Sequence, residues 1–198
     1  MKWSHWFLYV VCLPWNLIIA WPAVLLIRLF WGKGLRWEKP PAYDYDKGGG
    51  GGWCLSCQMK DGSFPVVPGT FPKGWYFRKK DNRPWGGTAL GHGVFYGPNG
   101  RNDENWGRCQ AHEHIHVEQF EVAMLHSFIV GLVAGIVLLA FGHIVAALWS
   151  FFGIWFTGSL LKSSAAWLTA ALRGEEPYWG STHEESARAQ DDGLKEQR

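Results

Sequence analysis

Apolar residues in this chain fall into two blocks that are too long for an ordinary soluble core. Residues 6–27 are 22 positions without a formal charge, about the length that crosses a bilayer core as a helix. Pro14, Asn16 and Pro22 interrupt this block and predict a helix that is kinked or locally loosened, which is tolerable where neighbouring helices cover the freed backbone groups. Residues 122–161 contain no Asp, Glu, Lys or Arg, and extension to Leu172 adds only Lys162. Forty helical residues run roughly 60 Å, twice the thickness of a hydrocarbon core. The pattern predicts a helical hairpin over residues 122–149 and 151–172, turning near Trp149-Ser150-Phe151.

The polar middle reads differently. Five consecutive glycines at 48–52 cannot hold a regular element, so residues 32–52 are expected to form a flexible linker. Residues 53–109 are rich in Gly, Pro and aromatics and predict short strands joined by turns, the best candidates being 74–78 and 88–96. Turns are expected at Pro98-Asn99-Gly100 and at 102–105. A helix then starts near Gln110, and its continuation to Glu121 enters the apolar hairpin without a breaker. Beyond Leu172 the chain is polar, with a short helix expected over 183–190, capped by Ser181 or Thr182.

The fold class implied is an α+β membrane protein. Its order is an N-terminal transmembrane helix (1–31), the linker (32–52), a Gly/Trp-rich β-containing region (53–109), a short active helix (110–121), a transmembrane hairpin (122–172) and a C-terminal segment (173–198). No internal repeat is visible. A cleaved signal peptide is disfavoured, because the first block has almost no basic region before it and no small-x-small cleavage site.

Charge adds an orientation. Arg28, Lys33, Arg36 and Lys39 follow the first helix, against Lys2 alone before it. The positive-inside rule then puts the polar middle in the cytoplasm, and a hairpin returns the tail, beginning at Arg173, to the same side. A net charge of only +2 gives no sign of a nucleic-acid partner. Among 14 Trp residues, Trp3, Trp6, Trp31 and Trp37 suit an interfacial belt. Cys54 and Cys57 have the spacing of half a zinc site, to which Cys109 and His92 are the available complements. Half a site is a weak signal, a cytoplasmic location argues against a disulfide, and Cys12 reads as a small buried hydrophobe.

The strongest chemical pattern is His112-Glu113-His114-Ile115-His116, which contains H-E-x-x-H. On a helix His112 and His116 lie one turn apart on one face, where two imidazoles can hold one Zn²⁺, and Glu113 is placed to act as general base toward a zinc-activated water. A catalytic zinc usually takes a third protein ligand. Glu184 is the choice, in Thr182-His183-Glu184-Glu185, because the hairpin brings that segment back to the face bearing His112 and His116. His183 and Glu185 remain alternatives. Tyr178, His183 and Arg188 are candidates for stabilising an oxyanion.

Several neighbours have plainer readings. His114 points away from the zinc face and is expected to be a surface or packing residue. Glu118 and Gln119 either support the ligands or lie on the helix surface, and His126 and His143 pair across helices. Two rivals stand beside the enzyme. If residues 112–116 form a strand, His112, His114 and His116 all point one way. If the motif is accidental, the chain is a small non-catalytic membrane scaffold or metal-binding protein.

The two motifs together resemble the gluzincin class of metallopeptidases, which carry H-E-x-x-H on one helix and a glutamate ligand on a later one. The likeness is greatest to small membrane-associated members reading H-E-x-x-H-V-x-Q-Y/F and E-x-x-A-R, matched here by residues 112–120 and by Glu184 to Arg188. It covers residues 88–119 and the Glu184 segment. The resemblance implies a zinc metallopeptidase with Glu184 as ligand and Arg188 as a supporting polar residue, while His183 departs from the pattern. Proximity of the motif to the hairpin makes a membrane-proximal polypeptide the expected substrate.

Overall fold

Helix-favouring apolar sequence and two prolines shape the first element. In the computed structural model, which describes residues 3–30, 32–38, 52–59, 87–96 and 106–174, α1 (Trp3–Trp15) runs through a π-helical segment (Asn16–Ala20) into α2 (Trp21–Phe30). Proline carries no N–H, so Pro14 and Pro22 each remove a helical hydrogen bond. Between them the Trp21 N–H donates to the Asn16 carbonyl five residues back, the wider turn that defines a π-bulge. The loosening expected of this stretch takes that form.

A four-stranded sheet follows, ordered β1-β2-β4-β3. Strand β1 (Gly32–Glu38) pairs antiparallel with β2 (Cys54–Met59), β2 runs parallel to β4 (Gly93–Tyr96), and β4 pairs antiparallel with β3 (Gly87–Leu90). Two expectations are corrected. The start of the supposed linker is a strand, since residues 32–38 form the edge beside β2. The nine-residue strand over 88–96 is instead a hairpin, broken at Gly91-His92 where Gly91 takes φ +57, a conformation favouring glycine. Residues 74–78, the turns at 98–100 and 102–105, and the helix over 183–190 lie outside the described residues.

Alternation along the strands gives the sheet two faces. Leu55, Cys57 and Phe95 pack with Val24 of α2, whereas Cys54, Val94 and Tyr96 pack with Val117 of the next helix. The sheet is thus a layer between α2 and the polar start of α3 (Trp106–Ala140).

Helix α3 and α4 (Ile144–Leu172) form the hairpin. Its turn is Phe141-Gly142-His143, not Trp149-Ser150-Phe151. Gly142 adopts φ +80, its N–H bonds the Leu139 carbonyl, and the His143 N–H bonds that of Leu138, both at 2.9 Å. This is a Schellman cap, which satisfies the last carbonyls of a helix. Division of the apolar block by length overlooked that glycine. Close approach of the two helices relies on small residues: a Cβ at Gly131 would stand 2.8 Å from the Phe151 carbonyl oxygen, and one at Gly158 would strike Ser127. Helix α1 packs antiparallel on α3 through Phe7 on Phe128 and Trp15 on Phe120, around buried Val11, Cys12 and Met124. Among the described residues, three helical stretches, Trp6–Phe30, His112–Ala140 and Ile144–Leu172, are long and apolar enough to cross a membrane.

Candidate functional site

Residues 112–116 lie within α3, so the strand arrangement with three parallel imidazoles does not occur. On the helix His112 and His116 meet. Their Nε2 atoms are 3.2 Å apart, with ring centroids at 4.8 Å and planes at 84°. As it stands this contact is a hydrogen bond between the two rings. Two nitrogens at about 2.0–2.1 Å from one tetrahedral ion lie roughly 3.3 Å apart, so the same spacing would also suit a shared cation. The far side of His116 is held as well. Its Nδ1 lies 3.0 Å from Gln119 Oε1, an atom that only accepts. Nδ1 therefore donates, and the Nε2 lone pair faces His112. Metal-ligating histidines characteristically give their second nitrogen to such a partner.

Among the described residues no three His, Cys, Asp or Glu converge as a metal site. Glu184, His183, Glu185, Tyr178 and Arg188 lie outside the described residues. Gly131 lies on Phe151 and Ser127 against Gly158; the same register, at an equal rise along both helices, carries the end of α4, Leu172 and Arg173, to the level of His112.

Glu113 turns toward the sheet rather than to the exterior and is only 3% exposed. It packs under β3, where a Cβ on Gly87 would come within 2.8 Å of Glu113 Oε1. Glycine at this position lets the strand pass over the carboxylate. Further along the same face Tyr96 Oη donates to Glu38 Oε2 at 2.8 Å, and burial with the adjacent Glu38 carboxylate pushes the phenol well above its ordinary range. His114 is buried between helix and sheet, 3.9 Å through Nδ1 from Cys54 Sγ. The Cys54 thiol also lies 3.3 Å from the Gly52 carbonyl. Burial, then the carboxylates of Glu121 and Glu38, push that thiol well up, so Cys54 is a protonated packing group. Cys54 and Cys57 sit on opposite faces of β2, which removes the half zinc site. His126 and His143, expected to pair across helices, are both exposed.

Sequence reading missed the polar assembly that ties this face to the first helix. His92, fully buried at the β3–β4 turn, has Nε2 2.7 Å from Glu121 Oε1 and Nδ1 2.7 Å from Asn16 Nδ2. Its backbone N–H donates to Asn16 Oδ1 at 3.2 Å, which orients the amide and makes Nδ2 the donor to the ring. His92 thus accepts at Nδ1 and donates through Nε2. Glu121 Oε1 also accepts from the Gly52 N–H at 2.6 Å. The signal was present: Asn16 is the most polar residue of the first block, and Glu121 is the last charge before the second. Compared with known proteins, the chain matches no family model, no curated protein and no solved structure.

Proposed function

We propose that the protein is a membrane-embedded zinc metallopeptidase, with His112 and His116 as two ligands and Glu184 as the third. The reading rests on one observation above others: two Nε2 atoms at 3.2 Å with the His116 ring locked from behind by Gln119. When bound, zinc supplies a Lewis acid that makes a water nucleophilic near neutral pH and polarises a peptide carbonyl. Glu113 takes a proton from the attacking water on its carboxylate and returns it to the leaving nitrogen. The C–N bond breaks, the water oxygen joins the carbonyl carbon, and both water protons end on the amine. Gln119 keeps His116 in the ligating orientation. The likeness to gluzincins supports the same assignment, the substrate is a membrane-proximal polypeptide, and the active face is cytoplasmic.

Burial of Glu113 beneath Gly87 favours a second reading, in which the carboxylate is structural and the chain is a non-catalytic metal-binding scaffold. Metal content of detergent-purified protein, wild type against His112→Ala, tests the ligand pair. Glu113→Gln then separates the readings. A peptidase loses hydrolysis while keeping its zinc; a scaffold shows no hydrolysis in either form.

A further inference from the structure

Helix packing sets how far the site stands from the uncharged stretches of the helices. In the α3–α4 register set by Gly131 on Phe151 and Ser127 on Gly158, Lys162 comes level with Glu121, and Arg173 comes level with His112. On the other side Phe7 on Phe128 and Trp15 on Phe120 carry Arg28 to the first turn of α3. Charge therefore begins at the Glu121–Lys162 level and continues through Glu118 and Glu113 of α3 to the level of the two arginines. Below the Glu121–Lys162 level, residues 122–140 and 144–161 are free of charge, about 28 Å of helix against a hydrocarbon core of about 30 Å.

Above that level the outward surface does not become polar at once. Leu25 and Leu26 before Arg28 on α2, with Leu29 and Phe30 just past it, and Leu168 and Leu172 before Arg173 on α4, stay exposed around the two arginines. Helix α2 continues the rod of α1, so this face is continuous with the exposed apolar surface of Phe7, Val10, Leu17 and Ile18. Apolar side chains ending at a tier of arginines match the headgroup layer, where aliphatic stems meet lipid and cationic heads meet phosphate. His116 and His112 stand six and ten residues above Val122, about 9 and 15 Å, within this layer.

We propose that the site works at a fixed height. Its substrates are polypeptides anchored in the same membrane, cut within about three to five extended residues of the end of their apolar span, at roughly 3.3 Å per residue. The proposal rests on the peptidase reading and adds the substrate class to it. An anchored chain crosses this layer at high effective concentration, whereas a free peptide has to reach a site flanked by lipid.

The test uses the full chain, loaded with zinc, in phosphatidylcholine–phosphatidylglycerol vesicles. One cleavable sequence is offered as a free peptide, fused directly to a transmembrane anchor, and fused through Gly/Ser spacers of roughly 4, 8 and 16 residues. The expected result is a cut that keeps its distance from the membrane and moves into the spacer as the spacer grows, with the free peptide at least tenfold slower. A cut that follows the sequence through every spacer, or a free peptide cut as fast, overturns the fixed height and leaves the peptidase intact. No cut in any substrate overturns both. Height is also read without activity: a fluorophore on Leu168→Cys or Leu172→Cys should be quenched by headgroup-labelled lipid. Quenching only by an aqueous quencher overturns the placement.

Discussion

Replacement of Asn16 by leucine is the sharpest probe of how the first helix is fastened to α3. Asparagine and leucine have similar volume, so packing changes little and the perturbation is electrostatic. Asn16 Nδ2 serves His92 Nδ1 at 2.7 Å, and Asn16 Oδ1 accepts from the His92 N–H at 3.2 Å. Leucine leaves a ring nitrogen and a backbone N–H buried at a site closed to water, since Asn16 and His92 are both fully buried. Each orphaned group costs about 1–3 kcal/mol, and the gain from burying leucine there, about 1.5–3 kcal/mol, returns part of this, so a net loss of about 2 kcal/mol is expected. The second-order effect is on Glu121, whose partner His92 is no longer held from behind. Thermal unfolding in detergent, followed by tryptophan fluorescence, measures the loss; Ile18→Leu, at an exposed position of the same π-helical segment, is the control. A loss below about 0.5 kcal/mol, within the range of ordinary surface substitutions, refutes the linkage of helix, turn and carboxylate.

Other outcomes follow from single contacts. Gln119→Ala frees the Nδ1 side of His116 and should weaken zinc binding about 10–100-fold in a chelator competition; Gln119→Glu should restore most of it. Gly87→Val sets side-chain atoms where Glu113 Oε1 stands 2.8 Å from a Cβ, so peptide hydrolysis should fall more than tenfold while metal content stays near wild type. Gly142→Ala forces alanine into φ +80 and should destabilise the hairpin by about 1 kcal/mol in the same melting assay. Burial keeps the Cys54 thiol protonated, so native protein near neutral pH should leave Cys54 unmodified by maleimide, and labelling only after unfolding checks this.

The long elements were legible because their physics is local. A run of 22 uncharged residues, and another of forty, form helices long and apolar enough to cross a membrane, and the helix through His112 and His116 follows from sequence without breakers. Pairing of those two imidazoles is likewise a property of four-residue spacing on any helix. The sheet was less legible. Its strands are short, and β2 pairs in parallel with a strand more than thirty residues away in sequence, a relation that period and propensity do not encode. The hairpin turn was misjudged for the opposite reason: a local cue, Gly142, was present but was outweighed by an argument from length.

By itself, then, the sequence determined which stretches form helices long and apolar enough to cross a membrane and which two imidazoles meet on one helix face, because hydropathy and helical periodicity act over a few turns. Tertiary structure alone decided which face of α3 meets the sheet, that Glu113 lies beneath Gly87, and that Asn16, His92 and Glu121 join. Those residues are 76 and 29 positions apart in the chain. Only packing of a π-bulged helix, a strand turn and α3 removes water from all three at once, and exclusion of water is what obliges each polar atom to find the others.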